Sequence, residues 1–430
     1  MHFDMLHPRD QLVAVMNRIY HNGMTTLSGG NLSILEENGD IWITPSGIDK
    51  GNLTPKDIMW VRADGIVEGP HKPSVELPFH KAIYARRPDL RAIVHAHSAA
   101  LVSFSIVGEI PDTSTIPQAR RVCGLVGFAS YGPPGSELLG KHIAKTFAES
   151  YNVVVLENHG IATGGSDILT AFQRLETLDF CARTELQARR LGDIHTLSET
   201  QLEPFDVQYN LLPEFTPTSH TSRERELRQQ VVATVHRAID RYLMISTEGV
   251  VSARIDNENF LITPTGLDRG SLTIEDIVLI SKGRREKDKL PSRSVRLHSA
   301  IYDSHPDIHC VITAQSPNVL AYAITHQNFD TRIIPESYIL LRKIPEITYG
   351  TQFSNPQMVA DAISDHTPVL LLQNDAILVV GNNPLHAFDR LEVAEFSAKS
   401  LINASSIGPL TPIPDKEIAY LESEFIQKRP

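Results

Sequence analysis

This 430-residue sequence predicts an α/β protein made of two layered domains, each a sheet with helices outside it, and three observations carry the prediction. First, the chain repeats itself. IWITPSGIDKGNLTPKD at 41–57 returns as FLITPTGLDRGSLTIED at 260–276, PSVELPFHKAIY at 73–84 as PSRSVRLHSAIY at 291–302, and AFQRLE at 171–176 as AFDRLE at 387–392. The offset of about 218 is far longer than the ~20–50-residue period of a solenoid, so each copy is a whole domain. Second, the length suits two domains at ~100–200 residues each. Third, helical and alternating apolar runs interleave within a copy, as a layered α/β domain requires.

Taken in order, residues 12–20 carry apolar side chains at helical spacing, and 23–30 form a Ser/Thr/Gly-rich turn. Strands follow at 31–35, 41–45 and 58–61, where β-branched and aromatic residues alternate with polar ones. Helix is expected over 75–86, stopped by Pro88, and over 167–190, with Ser166 as candidate N-cap. The apolar runs 92–94 and 152–157 predict buried strands. Three prolines and several hydroxyl residues in 204–222 break helical patterning, giving a first domain at 1–205, a linker at 206–222 and a second domain at 223–430.

Bulk composition narrows the partners. A net charge of −11 argues against a general nucleic-acid surface, and KGRREKDK at 282–289, alternating in sign, predicts a solvated loop. Apolar runs fall short of the ~20 residues a membrane helix needs, and MHFDMLHPRD lacks a secretory signal's pattern, so a cytoplasmic location with no membrane partner is expected. Cys123, Cys181 and Cys310 are far apart and odd in number, which predicts buried thiols and no disulfide framework.

The chemistry concentrates in copy one. IVHAHS at 93–98 places His95 and His97 two apart on one face of a strand end, so both imidazoles can meet one metal ion. His159 ends the run VVVLENHG, where Gly160 permits a tight exit. In copy two the same framework persists as VITAQS at 311–316, with Thr313, Gln315 and Asp375 where copy one has the three histidines. Histidines lost together behave as one unit, and three of them plus an open position suit a catalytic zinc. Glu76 aligns with Ser294; near a dication it can ligate or shuttle a proton, burial can raise its pKa, and a first-turn helix glutamate is the bland alternative. Three small-residue turns, at 28–31, 44–47 and 73–74, can hold a phosphate or carboxylate through hydroxyls and backbone N–H groups, or be ordinary turns.

SGGNLS, ITPSG, PSVE…H, VHAHS and ENHG, in that order, resemble the class II aldolase/adducin family across copy one, with copy two a degenerate member. The resemblance implies an α/β/α domain with a central, largely antiparallel sheet, assembled as an oligomer. It implies zinc, or manganese or cobalt, on His95, His97 and His159 in the first domain alone, with Glu76 as acid/base. It further implies that Ser28, Gly30, Asn31, Thr44, Gly47 and Ser74 hold a substrate phosphate, although Val75 stands where the family's phosphate binders carry a second serine. Copy one has IPQARRVCG where the family donates a tyrosine across a subunit interface; copy two has IPESYILLR there, making Tyr338 the candidate.

The expected activity is retro-aldol cleavage of a ketose or ketose phosphate through a zinc-stabilised enediolate. A metal-dependent decarboxylase or dehydratase acting on a sugar acid is the nearest rival, and a non-catalytic adducin-like module is the rival of another class. The expected partners are a small sugar or sugar phosphate and a second copy of the chain, two chains supplying four domains in a ring.

Overall fold

The computed structural model describes residues 3–206 and 212–426. It divides into two compact units, Met1–Thr113 with Gln118–Arg183, and Ser114–Pro117 with Thr184–Pro430. The contact boundary thus falls ahead of the 206–222 stretch, of which 207–211 lie outside the described residues.

In the first unit, eight strands are β1 (Asn31–Leu35), β2 (Ile41–Ile43), β3 (Met59–Val61), β4 (Val67–Glu68), β5 (Ala92–Ala96), β6 (Gly127–Ala129), β7 (Val153–Leu156) and β8 (Gly160–Gly165). They form one sheet in the order β4-β3-β2-β1-β5-β8-β7-β6, antiparallel except for the parallel pair β6–β7. The helices are α1 (Pro8–His21), α2 (Leu77–Arg86), α3 (Ala99–Val107), α4 (Pro117–Cys123), α5 (Glu137–Ala148) and α6 (Ile168–Ala188).

Strand alternation sets the layers. Ile41, Ile43, Ile93, Val154 and Leu156 bury against Phe79 and Ile83 of α2 and Leu139, Ile143 and Phe147 of α5. Leu12, Val15, Met16 and Ile19 of α1 are buried outside that cluster, and Arg18 lies over the Phe172 ring of α6, 4.6 Å from its centroid. Helices therefore cover the sheet on both faces.

The predicted strands at 31–35, 41–45, 58–61, 92–94 and 152–157 are all present, within a residue or two at their ends. Helix α2 starts at Leu77 and leaves Glu76 at its N-cap, with φ −94°. The N-cap expected of Ser166 is performed by Asp167, whose carboxylate accepts from Thr170 N at 2.8 Å, because Asp167 stands the three residues before Thr170 that this bond spans.

The second unit repeats the design. Its strands are β9 (Glu214–Phe215), β10 (Val250–Arg254), β11 (Asn259–Ile262), β12 (Val278–Ser281), β13 (Arg284–Glu286), β14 (Cys310–Ala314), β15 (Glu346–Ile347), β16 (Val369–Leu372) and β17 (Ala376–Gly381). The order β15-β16-β17-β14-β10-β11-β12-β13-β9 carries the same central antiparallel core, with parallel pairs at both edges. The run at 282–289 is solvated at its turns, where Lys282, Gly283, Lys287 and Asp288 are exposed, but its middle is the strand β13 and not loop. Lys282 and Gly283 turn a hairpin with positive φ, and Arg285 of β13 is buried with Nη2 2.6 Å from Glu214 Oε1. Charge alternation there is a strand's two faces, not solvation. Cys123, Cys181 and Cys310 are buried thiols.

Candidate metal centre

Strand β5 is central and fully buried, with β1 and β8 on its two sides, so its C-terminal end carries side chains into a rigid place. His95 is opposite Asn31 of β1 and Ala162 of β8. His95 Nδ1 donates to Ile161 O at 2.8 Å, which orients the ring and leaves Nε2 as the nitrogen turned toward the site. That Nε2 lies 2.9 Å from His97 Nε2 and 3.2 Å from Glu76 Oε2. His159 follows the β7–β8 turn, in which Asn158 takes φ +55°, and its Nε2 is 3.5 Å from Glu76 Oε1.

Two glycines let the elements close this tightly. A Cβ on Gly160 would meet Ala96 O at 2.5 Å and His97 Cδ2 at 2.9 Å, and one on Gly30, at φ +70°, would meet His95 O at 2.7 Å.

A divalent cation fits this donor set. Among the described residues, His95, His97 and His159 offer one ring nitrogen each, all within 4.8 Å of one another. His159 Nδ1 and Glu76 Oε1 are buried without a hydrogen-bond partner. Imidazole nitrogens with a carboxylate beside them suit a divalent transition-metal ion.

The electrostatics without a cation are lopsided. Burial pushes the Glu76 carboxyl up, but the charge and hydrogen bond of His95, the Asn31 amide and His159 outweigh it and hold the group below the ordinary carboxylate range. The raised pKa expected from burial is therefore corrected: the partners win over desolvation. Burial and the neighbouring imidazoles push His97 down to about 3 and His159 to about 4, which keeps both neutral as ligands must be.

Behind the carboxylate runs a chain of polar groups, of which only Asn31 is singled out by the sequence alone. Asn31 Nδ2 donates to Glu76 Oε2 at 2.7 Å, and Asn31 Oδ1 is 2.5 Å from His80 Nε2. His80 Nδ1 is 2.6 Å from Ser33 Oγ, which is 2.7 Å from Tyr84 Oη. One polarity satisfies every member: Tyr84 donates to Ser33, Ser33 to His80, His80 to Asn31, and Asn31 to Glu76. Burial and the His95 charge push His80 down to about 3, so it is neutral, as that direction needs. A signal existed in the repeat: Ser252, His298 and Tyr302 make the same contacts in copy two, at 2.7 Å for both Ser252 bonds. There His298 Nε2 ends on Thr313 Oγ1 at 3.0 Å, since Val250 replaces Asn31.

The remaining sequence candidates divide. Thr44 and Ser74 are buried side by side, Ser74 N donating to Thr44 O at 3.3 Å, and Asn31 is on the adjoining strand. Thr44 Oγ1 accepts from Leu32 N at 3.1 Å and Ser74 Oγ from Glu76 N at 3.2 Å, so both hydroxyls retain a proton to donate. Ser28 and Gly47 are exposed on turns and Gly30 is buried under His95. Val75 is 64% exposed. Tyr338 belongs to the second unit, where its Oη donates to Glu422 and burial with that carboxylate pushes the phenol up to about 12. Lys50, also missed, is buried with Nζ donating to Pro45 O.

Comparison with known proteins gives the family. The family model for the class II aldolase and adducin N-terminal domain matches twice, over residues 10–186 and 229–402. The chain belongs to the class II aldolase/adducin family. Among curated relatives, 5-deoxy-D-ribulose 1-phosphate aldolase of Bacillus thuringiensis serovar kurstaki is 32% identical over 206 residues, 45% of this chain and 92% of that protein. L-Fuculose phosphate aldolase of Methanococcus maripaludis is 33% identical over 174 residues, 40% of this chain and 93% of that protein. 3-Oxo-tetronate 4-phosphate decarboxylase of Escherichia coli K12 is 30% identical over 179 residues, 41% of this chain and 84% of that protein. A solved L-fuculose 1-phosphate aldolase is 30% identical, covering 46% of this chain and 92% of its own, with a TM-score of 0.42. The class II aldolase family thus occurs twice in one chain, once with the histidine triad and once without.

Proposed function

We propose that copy one is a metal-dependent lyase that cleaves a ketose or ketose phosphate by a retro-aldol reaction. The observation that carries this reading is the convergence of three histidine donors and the Glu76 carboxylate at one strand end, in the copy that kept them. A divalent cation on the three histidines would supply a Lewis acid that polarises the substrate carbonyl and offsets the negative charge left when the carbon–carbon bond breaks.

The chain's own residues do the rest. Glu76, held as a carboxylate, accepts the proton of the C4 hydroxyl. The C3–C4 electron pair moves toward the C2 carbonyl, C4 leaves as an aldehyde, and the same proton returns to C3, so the step balances without another reactant. Asn31 fixes which Glu76 oxygen faces the substrate, since it occupies Oε2 and leaves Oε1 open. The free protons of Thr44 and Ser74 face the substrate's anionic end, with Ser28, Gly30 and Gly47 shaping the loops around it. Tyr338 of a second chain is the further acid/base group, in a pair of chains that makes a ring of four domains. In this reading 1–205 is the catalytic domain, 206–222 the linker and 223–430 a pseudo-enzyme copy, and the ion is zinc, with manganese or cobalt as substitutes.

His95→Ala should lose both bound cation and turnover, and cation content should be one per chain in the parent protein. Full turnover after loss of the cation overturns the proposal, and two ions per chain overturn the asymmetry. A second reading, decarboxylation of a 3-oxo sugar acid, is favoured by the decarboxylase relative together with Val75 in place of a phosphate-binding serine. Product identification after incubation with ketose phosphates and with 3-oxo acids separates the two.

A further inference from the structure

The two copies also differ at the other end of the sheet from the histidines, where β5 and its equivalent β14 begin. In copy one that place is filled by the side chain of Arg87. Its Nη1 donates to Phe147 O at 3.1 Å and Tyr151 O at 2.8 Å, and its Nη2 to Asn152 Oδ1 at 2.8 Å and Asp89 Oδ2 at 2.7 Å. Copy two has His305 in place of Arg87 and Pro368 in place of Asn152, so the plug and one of its acceptors are both gone. The shorter imidazole turns to Ala360, its Nε2 donating to the carbonyl oxygen at 2.9 Å. A cavity of about 480 Å³ stands there, with His305 and Pro368 in its wall, and every residue lining it belongs to the second unit.

Copy two has also set a charge in the wall of that cavity, at a position made for glycine. Gly124 of copy one follows α4 with φ +65°, and a Cβ there would meet nothing within 4 Å, so the backbone and not crowding selects glycine. Its equivalent is Arg342, at φ +57° and ψ −123°, a conformation that residues with a Cβ disfavour. A side chain held against its backbone preference points to a functional constraint. Arg342 is half-buried and lines the cavity with Arg390, which is buried and fixed by donating from Nε to Leu340 O at 3.1 Å and from Nη1 to Val380 O. Arg174 makes the same two bonds in copy one, to Val122 O and Gly164 O, so Arg390 is shared framework and Arg342 is the addition. Ile308, Ile363 and Val380 give the cavity a buried apolar floor, and Asp307, Ser364, Asp365 and Asn382 give it an exposed polar rim.

We propose that this cavity of copy two is a binding site for a small polyhydroxylated anion, a sugar carrying a phosphate or a carboxylate. The anionic group lies between Arg342 and Arg390, whose planar guanidinium forks match either group. The rim sets the orientation. Asp307 and Asp365 would repel an anion brought against them but accept hydrogen bonds from hydroxyls, as Ser364 and Asn382 also can, so the hydroxylated body faces outward. The volume falls within the range of about 300–1,000 Å³ usual for small-molecule sites. The site is built from residues that copy one lacks and is separate from the histidine cluster, so it stands whatever reaction copy one performs. It gives the copy without the histidines a ligand of its own.

The test is hydrogen exchange and calorimetric titration of the full chain with ribose 5-phosphate, with gluconate and, as the neutral control, with ribose. An anion that binds should protect 363–368 and 380–386 in the parent. Arg342→Gly, which restores copy one's residue at a glycine-type φ, and His305→Arg, which restores the plug, should each abolish that protection and weaken binding at this site by about tenfold or more. Calorimetry should count one anion site fewer per chain in each variant than in the parent, independently of what copy one binds. Protection by ribose 5-phosphate alone assigns the site to phosphates and protection by gluconate alone to carboxylates; either supports it. Equal protection by ribose overturns the anion seat. A parent that none of the three protects, or variants that bind and protect as the parent does, overturn the site. Should one variant fail to fold, the other decides by the same criterion.

Discussion

At the scale of single residues, the site is governed by which groups compensate a buried charge. Glu76 is buried, yet its partners hold it ionised, and Asn31 is the neutral member of that set. Asn31→Ala removes a charge-assisted hydrogen bond of about 1.5–3 kcal/mol without touching a metal ligand. Turnover should fall by roughly 10–100-fold while cation content stays at the parent value, a split that atomic absorption beside steady-state kinetics will show. Glu76→Gln should keep the cation and lose turnover outright. Lys50 shows the opposite balance: burial pushes its pKa down to about 8, and no carboxylate offsets it. Between about 8 and the ordinary lysine value of 10.5 the unfolded chain holds a proton that the folded chain has released, so stability rises with pH in that window. The gain is on the order of 3 kcal/mol. Thermal melts between pH 7.5 and 10 should show that rise in the parent and not in Lys50→Met; a parent melting temperature that only falls across the window counts against a buried, uncompensated lysine.

At the scale of elements, the sequence disclosed whatever one periodicity governed. Strand β5 was legible because an apolar run led directly into His95 and His97, and α1, α2 and α6 because their buried stripes recur at helical spacing. Helices α3 and α5 were not anticipated. AALVSFSIV in α3 is apolar nearly all round, so it has no stripe to detect. Strand β8, GIATGG, is half glycine and lacks β-propensity; its existence is decided by pairing with β5 and β7 on either side. That dependence yields an element-scale prediction. Gly160→Ala places a methyl 2.5 Å from Ala96 O, and backbone on both sides must shift. The expected outcome is a loss of about 1–3 kcal/mol in denaturant unfolding together with weaker cation binding, since the turn carries His159. Unchanged cation affinity would show that the ligand turn is set independently of β5–β8 pairing.

At the scale of the whole molecule, the internal repeat separates what the fold needs from what the chemistry needs. The histidines, Glu76 and Asn31 of copy one have become Thr313, Gln315, Asp375, Ser294 and Val250. Those losses were visible in the sequence because the surrounding framework aligned; the polar chain behind Glu76 was not, because Ser33, His80 and Tyr84 are ordinary residues until the sheet brings them together. The same three groups persist as Ser252, His298 and Tyr302, where Thr313, Gln315 and Asp375 stand in place of the three histidines. Their first duty is therefore structural: they satisfy a buried tyrosine and a buried histidine between the sheet and the helix that follows the PS turn. In copy one that structural chain was extended by Asn31 to reach the carboxylate. Ser33→Ala and Ser252→Ala should each leave a buried imidazole nitrogen and phenol short of a partner, costing about 1–3 kcal/mol apiece in unfolding. Only Ser33→Ala should also lower turnover, because only there does His80 pass its orientation on to Asn31 and Glu76. If Ser252→Ala reduces turnover as strongly as Ser33→Ala at equal loss of stability, the division of labour between the two copies is wrong, and the second is doing chemistry of its own.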